Sequence, residues 1–413
     1  EDYLVNEEVV KQNADICAKL NIDLCTQDAG WFGPHSNTTQ WVKLRGDWHK
    51  VNLTRFPSGI RGLSGEVHDK GLKFGLWCEI EAVGEKADLN DIHPELIATR
   101  DGKHLGYICM GSPASREWAL EVIGTIVKEY KADWIKLDFN LDPGPGCNRT
   151  DHGHSDGDGL YEHYMGYYKL LDTIRERYPH VILENCSSGG LRIDLGIMKH
   201  THRTHLSDPD YTEHHLQVFW GAVNMLHPSI CLHFPWSQTI YGHNLVAEPI
   251  KEDMPVHVFD YYIRAALTGS IGFSYRLTQF PAWCRERLGE HVSFYKQVSR
   301  KFIRDSDMYI LTGQTMREGK GDRWNAFLYV TDSMDEALLF VFRLTGSEKQ
   351  RNIRLKGLKP DTLYSIHYKD SCCCLEKSGF ELMHKGLEFS NLKEESSEIV
   401  FLRKVKIYPQ DPS

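Results

Sequence analysis

Ala132-Asp133-Trp134-Ile135-Lys136-Leu137-Asp138-Phe139-Asn140 is an apolar run that ends on a carboxylate, set between two stretches with helical spacing, 115–130 and 160–178. In the second of these the apolar side chains recur as Leu160, Tyr164, Tyr167, Tyr168, Leu171 and Ile174, the stripe of an amphipathic helix. A short buried strand between two helices is the repeating unit of a parallel sheet with helical crossovers. Working outward, 22–27, 72–79, 107–110, 181–186 and 203–207 read as further strands, with one or two more within 230–234 and 270–275, and 6–20 reads as a helix. Seven or eight such units in roughly the first 300 residues predict an α/β fold, a (β/α)8 TIM-type barrel, because no glycine-rich phosphate loop follows any strand. The first strand of that barrel is expected to be missing from this sequence. The chain opens on the helix, so the strand lies upstream of Glu1 or the fold begins irregularly.

From about residue 323 the pattern changes. The runs 326–331, 337–343, 351–355, 362–368 and 398–403 are separated by turn residues such as Gly346-Ser347 and Lys359-Pro360-Asp361, which predicts a small antiparallel β domain. The expected division is a catalytic barrel over 1–315 and a C-terminal antiparallel β domain over 316–413. A length of 413 residues suits a barrel of roughly 250 residues plus one smaller domain.

A net charge of −9 without a basic run argues against a nucleic-acid or anionic-membrane surface, since both need clustered Lys and Arg. No stretch approaches the ~18 consecutive apolar residues of a membrane span. The start Glu1-Asp2-Tyr3 is neither a signal peptide nor an initiator Met, which predicts a chain that begins partway through a longer protein. Eleven cysteines, dispersed except for Cys372-Cys373-Cys374 and lacking any C-x-x-C, fit a reducing compartment, the cytoplasm of a bacterium, with secretion left open. Sequons at Asn37, Asn52, Asn148 and Asn185 are read as chance.

In a barrel of this kind chemistry gathers at the C-terminal ends of the strands. Those ends carry Asp28 and Trp31, then Trp77, Glu79 and Glu81, then Lys136 and Asp138, then Glu184, Cys186 and Gly189, then Asp208 and Asp210. Strand alternation turns Lys136 and Asp138 the same way, where the cation would keep the carboxylate ionised; a solvated ion pair is the plain alternative. Acids crowded on one rim repel one another, so the rim is not built for stability alone. Acids with aromatic platforms suit a sugar, because indole faces stack on pyranose C–H groups and two carboxylates can cleave a glycosidic bond. For Trp31 and Trp77 the alternative is core packing.

These residues sit in an ordered series of motifs: Asp28-Ala29-Gly30-Trp31-Phe32-Gly33, Gly46-Asp47-Trp48, Phe56-Pro57-Ser58-Gly59, Lys73-Phe74-Gly75-Leu76-Trp77-Cys78-Glu79, Lys136-Leu137-Asp138-Phe139-Asn140, Glu184-Asn185-Cys186-Ser187-Ser188-Gly189-Gly190 and Ser207-Asp208-Pro209-Asp210. The series resembles glycoside hydrolase family 36, the α-galactosidases and their relatives, over about residues 5–215. Leu355-Lys356-Gly357-Leu358 with Leu363-Tyr364 resembles that family's C-terminal sandwich.

The resemblance implies a retaining, exo-acting double displacement with Asp138 as nucleophile and Asp208 as acid/base, Asp210 being the rival acid or else part of the sugar-binding set. It further implies that Asp28 grips the 4-hydroxyl side of galactose, that Trp31 and Trp77 wall the pocket, and that Lys136 contacts the sugar beside the nucleophile. Cys186 and the Gly189 backbone would lie near the 2-substituent. The implied partner is an oligosaccharide or glycoconjugate, no cofactor is expected, and a homo-oligomer is left open.

Several positions depart from the family pattern. Ala29 replaces a second acid, Cys109-Met110-Gly111-Ser112 replaces the usual L-D-x-S, His104 replaces an Arg, and this sequence is expected to hold no N-terminal β-sandwich. The 2-substituent is therefore open: α-galactosaminidase or α-N-acetylgalactosaminidase specificity stands beside plain galactose, and a catalytically weak sugar-binding barrel is the alternative of another class. The segment Asp151-His152-Gly153-His154-Ser155-Asp156-Gly157-Asp158-Gly159 holds metal-ligand types, but its glycines and alternating acids equally describe a solvated loop, so no metal is expected. With Cys147-Asn148-Arg149 it is read instead as lining the rim above Asp138 and helping to choose the aglycone.

Overall fold

The helix Glu7–Lys19 forms for local reasons. The Asn6 side chain accepts the Val9 N–H at 3.0 Å, Glu7 and Glu8 sit in the first turn and Lys19 in the last, and Val10, Ala14 and Cys17 turn inward. The strand Leu24–Gln27 follows, and after the helix Gly59–Asp69 comes the strand Lys73–Cys78, buried along all but its first residue. The helices Pro113–Lys128 and Gly159–Arg177 then flank the strand Trp134–Leu137. Ile182–Asn185 and Arg203–His205 complete the series. The five strands pair in parallel in the order of the chain. Their register aligns Trp77 with Lys136 and Lys136 with Glu184, so three chemically distinct side chains leave the sheet in one row.

The computed structural model describes residues 5–37, 40–208, 212–234, 250–274, 276–371 and 374–406. Its contacts gather in two units, Glu1–His205 with Arg276–Thr278, and Leu206–Tyr275 with Gln279–Ser413. The parallel sheet above belongs to the first.

One expected barrel strand goes elsewhere. The segment 107–110 falls at the end of Lys103–Ile108, which pairs antiparallel with Ile97–Arg100 in a hairpin, while the parallel sheet passes directly from Lys73–Cys78 to Trp134–Leu137. Asp101 and Gly102 both have positive φ, 52° and 74°, the backbone of a tight hairpin turn. The dipeptide Asp101-Gly102 is thus the sequence signal that separates this strand from the others.

In the second unit Cys231–His233 pairs in parallel with Ser270–Ile271, and the helices Thr212–Ala222, Val256–Ala266 and Ala282–Phe294 accompany them. A six-stranded sheet is antiparallel, in the order Ser306–Ile310, Trp324–Thr331, Glu336–Arg343, Ser396–Lys404, Leu363–Tyr368, Cys374–Ser378. Arg351–Ile353 pairs with Leu387–Phe389 in a second, smaller sheet. The antiparallel domain expected from the sequence is present, and its first strand begins upstream of residue 316. The two central strands are apolar on both faces: Ala326, Leu328, Leu339 and Val341 join the core with Tyr364 and Leu382, while Phe327 and Phe342 meet Phe219 and Tyr261. The buried Tyr329 hydroxyl donates to the Thr268 carbonyl, and buried Arg264 pairs with Asp260 and Asp370. Among the described residues no helix is long and apolar enough to cross a membrane.

Candidate active site

Strand Trp134–Leu137 delivers Asp138 to the C-terminal rim of the parallel sheet, where its backbone N–H donates to the Cys78 carbonyl at 3.0 Å. The carboxylate is buried and four N–H groups converge on it. Oδ1 accepts from the backbone of Phe139 at 2.8 Å and of Ser188 at 3.1 Å; Oδ2 accepts from Trp77 Nε1 at 3.1 Å and Asn140 Nδ2 at 2.7 Å. Each donor has its own support. Ser188 has φ of 43° and Gly189 of 84°, so the Ser-Ser-Gly-Gly turn aims a backbone N–H at the carboxylate, and Ser187 Oγ ties that turn to the Phe139 carbonyl at 2.6 Å. Ser188 Oγ in turn donates to Asn140 Oδ1 at 2.6 Å. Charge-assisted bonds of this kind fix both the position and the rotation of a carboxylate.

Lys136 takes a different partner from the one its strand parity suggested. Its Nζ donates to Asp28 Oδ2 at 2.9 Å, and Ala29 N–H donates to Asp28 Oδ1 at 2.8 Å. Burial pushes the Asp28 carboxyl up, but the Lys136 charge and these bonds outweigh it and hold the group below its ordinary range. Burial likewise disfavours the Lys136 charge, yet Asp28 first, then Cys186, Glu184 and Asp138, raise its pKa well above the usual lysine value. Lys136 therefore touches Asp28 directly, and the Asp138 charge reaches it only through the field.

Glu79, fully buried, accepts from Arg45 Nη1 at 3.0 and 3.2 Å, from the Asn140 backbone at 2.5 Å and from Asn140 Nδ2 at 3.3 Å. Burial lifts its carboxyl to about 7, with Arg45 pulling it down and the neighbouring Asp138 charge pushing it further up. Glu184, also buried, accepts from Trp134 Nε1 at 2.7 Å and is raised by burial against the opposing charge of Lys136; its Oε1 meets no donor among the described residues. Glu81 lies in a separate buried cluster with Arg192 and His163.

Of the residues expected at the site, Asp28, Trp77, Lys136, Asp138, Cys186 and Gly189 gather on these adjoining strand ends. Trp77 is 1% exposed and acts on Asp138 through its indole N–H. Trp31 has no exposed surface: its N–H donates to the Trp77 carbonyl at 2.9 Å and its ring packs against Phe32, Trp48 and Tyr130. Cys186 is buried, and its backbone N–H donates to the Leu137 carbonyl at 2.9 Å. Asp208 is half-buried past the strand Arg203–His205 and belongs to the second unit. Asp210 lies outside the described residues. Arg45, Asn140 and Ser188 were not singled out from the sequence. For Asn140 a signal existed, since it follows Asp138 by two residues; for Arg45, well before the strand it serves, there was none.

The loop 151–159 is solvated only in part. Asp151, Ser155, Asp156, Gly157 and Asp158 are exposed, whereas His152 and His154 are buried beside Cys109 and Cys147. This is the group of described side chains able to hold a metal, and none of the carboxylates around Asp138 belongs to it.

The family model described as Melibiase matches residues 2–304, and that of the glycosyl hydrolase family 36 C-terminal domain matches residues 324–402. Among curated proteins the chain is 26% identical over 389 residues to α-galactosidase Mel36A of Lactobacillus acidophilus, covering 92% of this chain and 50% of that protein. It is 27% identical over 375 residues to α-galactosidase AgaA of Geobacillus stearothermophilus, covering 87% and 48%. The chain thus spans about half the length of these relatives. The crystal structure of AgaA superposes with a TM-score of 0.82 at 23% identity, covering 97% of this chain and 54% of that one. A putative α-N-acetylgalactosaminidase of Bacillus halodurans gives 0.61 at 14% identity, covering 97% and 94%. The likeness shows the fold: a catalytic domain with a curled parallel sheet, a half-barrel, followed by C-terminal antiparallel sheets.

Proposed function

The chain belongs to the Melibiase family, with the C-terminal domain of glycosyl hydrolase family 36, and from that premise we propose that it is a retaining exo-α-galactosidase. The observation that carries the reading is the convergence of four N–H donors on Asp138, at the strand end where the family motif expects a nucleophile. A carboxylate so oriented can attack an anomeric carbon without first reorganising its surroundings. Asp138 displaces the aglycone and forms a β-linked glycosyl-enzyme; Asp208 gives its proton to the leaving oxygen, then takes one from the water that attacks the intermediate. The two inversions restore the α configuration. The chemistry requires the two carboxyl groups to stand about 5–5.5 Å apart across the anomeric carbon.

In this scheme Asp28, charged and held by Lys136, accepts hydrogen bonds from sugar hydroxyls on the 4-hydroxyl side. Cys186 and the Gly189 backbone face the 2-position, and Trp77 fixes the nucleophile. The substrate is a terminal α-galactoside of an oligosaccharide or glycoconjugate; a variant of AgaA has been solved with raffinose. The dispersed cysteines without C-x-x-C spacing support a cytoplasmic location.

The test is hydrolysis of the p-nitrophenyl α-glycosides of galactose, galactosamine and N-acetylgalactosamine, followed by NMR of the first-formed anomer. Release of α-galactose supports the reading. Preferential release of either 2-substituted sugar moves the specificity and keeps the mechanism. Release from none of the three, or a β-anomer as first product, overturns it.

A further inference from the structure

Cys109, Cys147, His152 and His154 place two sulfurs and two ring nitrogens within 4.8 Å of one another, and all four residues are buried. Cys109 follows the hairpin strand Lys103–Ile108; the other three come from the long connection after Asp138. We propose that these four side chains form a structural metal site for a thiophilic divalent cation, zinc above all.

The distances fit. Tetrahedral zinc with Zn–S near 2.3 Å and Zn–N near 2.0–2.1 Å keeps neighbouring S and N ligands about 3.5 Å apart. Cys109 Sγ lies 3.2 Å from His154 Nε2, and Cys147 Sγ lies 3.5 Å from His152 Nδ1.

The ring tautomers fit as well. His152 Nε2 is 2.8 Å from the Glu95 carbonyl, and His154 Nδ1 is 2.8 Å from the Ser155 carbonyl. A carbonyl only accepts, so each of these nitrogens carries the hydrogen and each opposite nitrogen presents its lone pair to the cysteines. Outer hydrogen bonds of this type are what orient metal-ligating imidazoles. The Arg149 backbone N–H, 3.5 Å from Cys147 Sγ, adds a donor suited to a thiolate. Binding a dication displaces the two thiol protons to solvent, and two thiolates with two neutral imidazoles leave a site of zero net charge, which a buried position tolerates.

Glycines let the backbone come this close. A Cβ on Gly159 would sit 1.7 Å from the Cys147 carbonyl oxygen, and one on Gly111 would sit 2.9 Å from the His154 ring. Four protein ligands in a buried, closed set describe a structural site, with no position left for substrate.

What the site would hold is the chain beside the nucleophile. Phe139, next to Asp138, packs in one buried cluster with Ala98, Tyr107, Cys109 and Cys147. Between Asp138 and the helix that starts at Gly159 the chain has only the single 3-10 turn Thr150–His152. A metal clip at 147, 152 and 154, tied across to Cys109, closes that irregular loop and fixes the position of Phe139.

The test is elemental analysis of the full chain purified under reducing conditions without chelator, then substitution with Co2+. The expected result is about one zinc per chain, and for the cobalt form a thiolate-to-metal charge-transfer band with tetrahedral ligand-field absorption. In Cys109→Ser and in His154→Gln the metal content is expected to fall at least about tenfold, with a lower Tm that added zinc no longer raises. The wild-type measurements stand even where a variant fails to fold. Three outcomes overturn the proposal: wild-type protein that neither carries nor takes up a stoichiometric metal, metal retained unchanged in both variants, or a Cys109–Cys147 disulfide found by peptide mass spectrometry.

Discussion

Asp138 and Glu79 end neighbouring strands and share one amide, since Asn140 Nδ2 donates to both, at 2.7 and 3.3 Å. Their surroundings are otherwise opposed. Asp138 is held by four neutral N–H groups and, among the described residues, meets no cation directly, whereas Glu79 is sealed against Arg45 and its carboxyl is lifted to about 7. The difference teaches that one carboxylate is presented and the other is used as scaffold. Glu79 anchors the Asn140 backbone and side chain, and Asn140 then turns its amide toward Asp138.

The contrast breaks most sharply at the presented carboxylate. Asp138→Ala is expected to lower kcat/KM on an aryl α-galactoside by at least about 10³-fold with Tm little changed; activity kept within about tenfold of wild type sinks the nucleophile assignment. Next in size is Arg45→Met, which leaves the Glu79 carboxylate buried without its cation. A loss of about 3 kcal/mol in urea unfolding at pH 8 is expected, and a smaller loss at pH 5, where Glu79 keeps its proton.

The third prediction follows from linkage. Glu79 binds a proton more tightly folded than unfolded, so its contribution is present below pH about 4.5 and is lost as pH rises through about 7. Relative to Glu79→Gln, wild type should lose on the order of 2 kcal/mol across that window. Parallel stability curves for the two proteins between pH 4.5 and 8 would show that burial does not raise this group. The smallest effect expected is that of Asn140→Ala. Removing one donor from Asp138 should reduce kcat about tenfold and leave KM near wild type, and an unchanged kcat would mean that the shared amide does not position the nucleophile.

Much of this was legible in the sequence, and for identifiable reasons. The helix expected over 6–20 is Glu7–Lys19, and that over 160–178 is Gly159–Arg177, because apolar spacing and end residues are local properties. The strand before Asp138 was legible for the same reason. The segment 107–110 looked equally like a strand of the parallel sheet, yet the turn at Asp101-Gly102 folds it back on Ile97–Arg100. Trp31 looked like a sugar platform, but a tryptophan at a strand end and one in the core have the same spacing in sequence, and only its zero exposure separates the two.

By itself, then, the sequence determined the alternation of strand and helix, the antiparallel C-terminal domain, and the acid that ends the strand Trp134–Leu137, since each follows from periodicity within about ten residues. The tertiary structure decided the partners. Lys136 meets Asp28 rather than Asp138, Arg45 meets Glu79, and Cys109 meets Cys147, His152 and His154. Those meetings depend on which strands pair, in what register and with which loops folded over their ends. Parallel pairing joins residues far apart in the chain, and no local period encodes it.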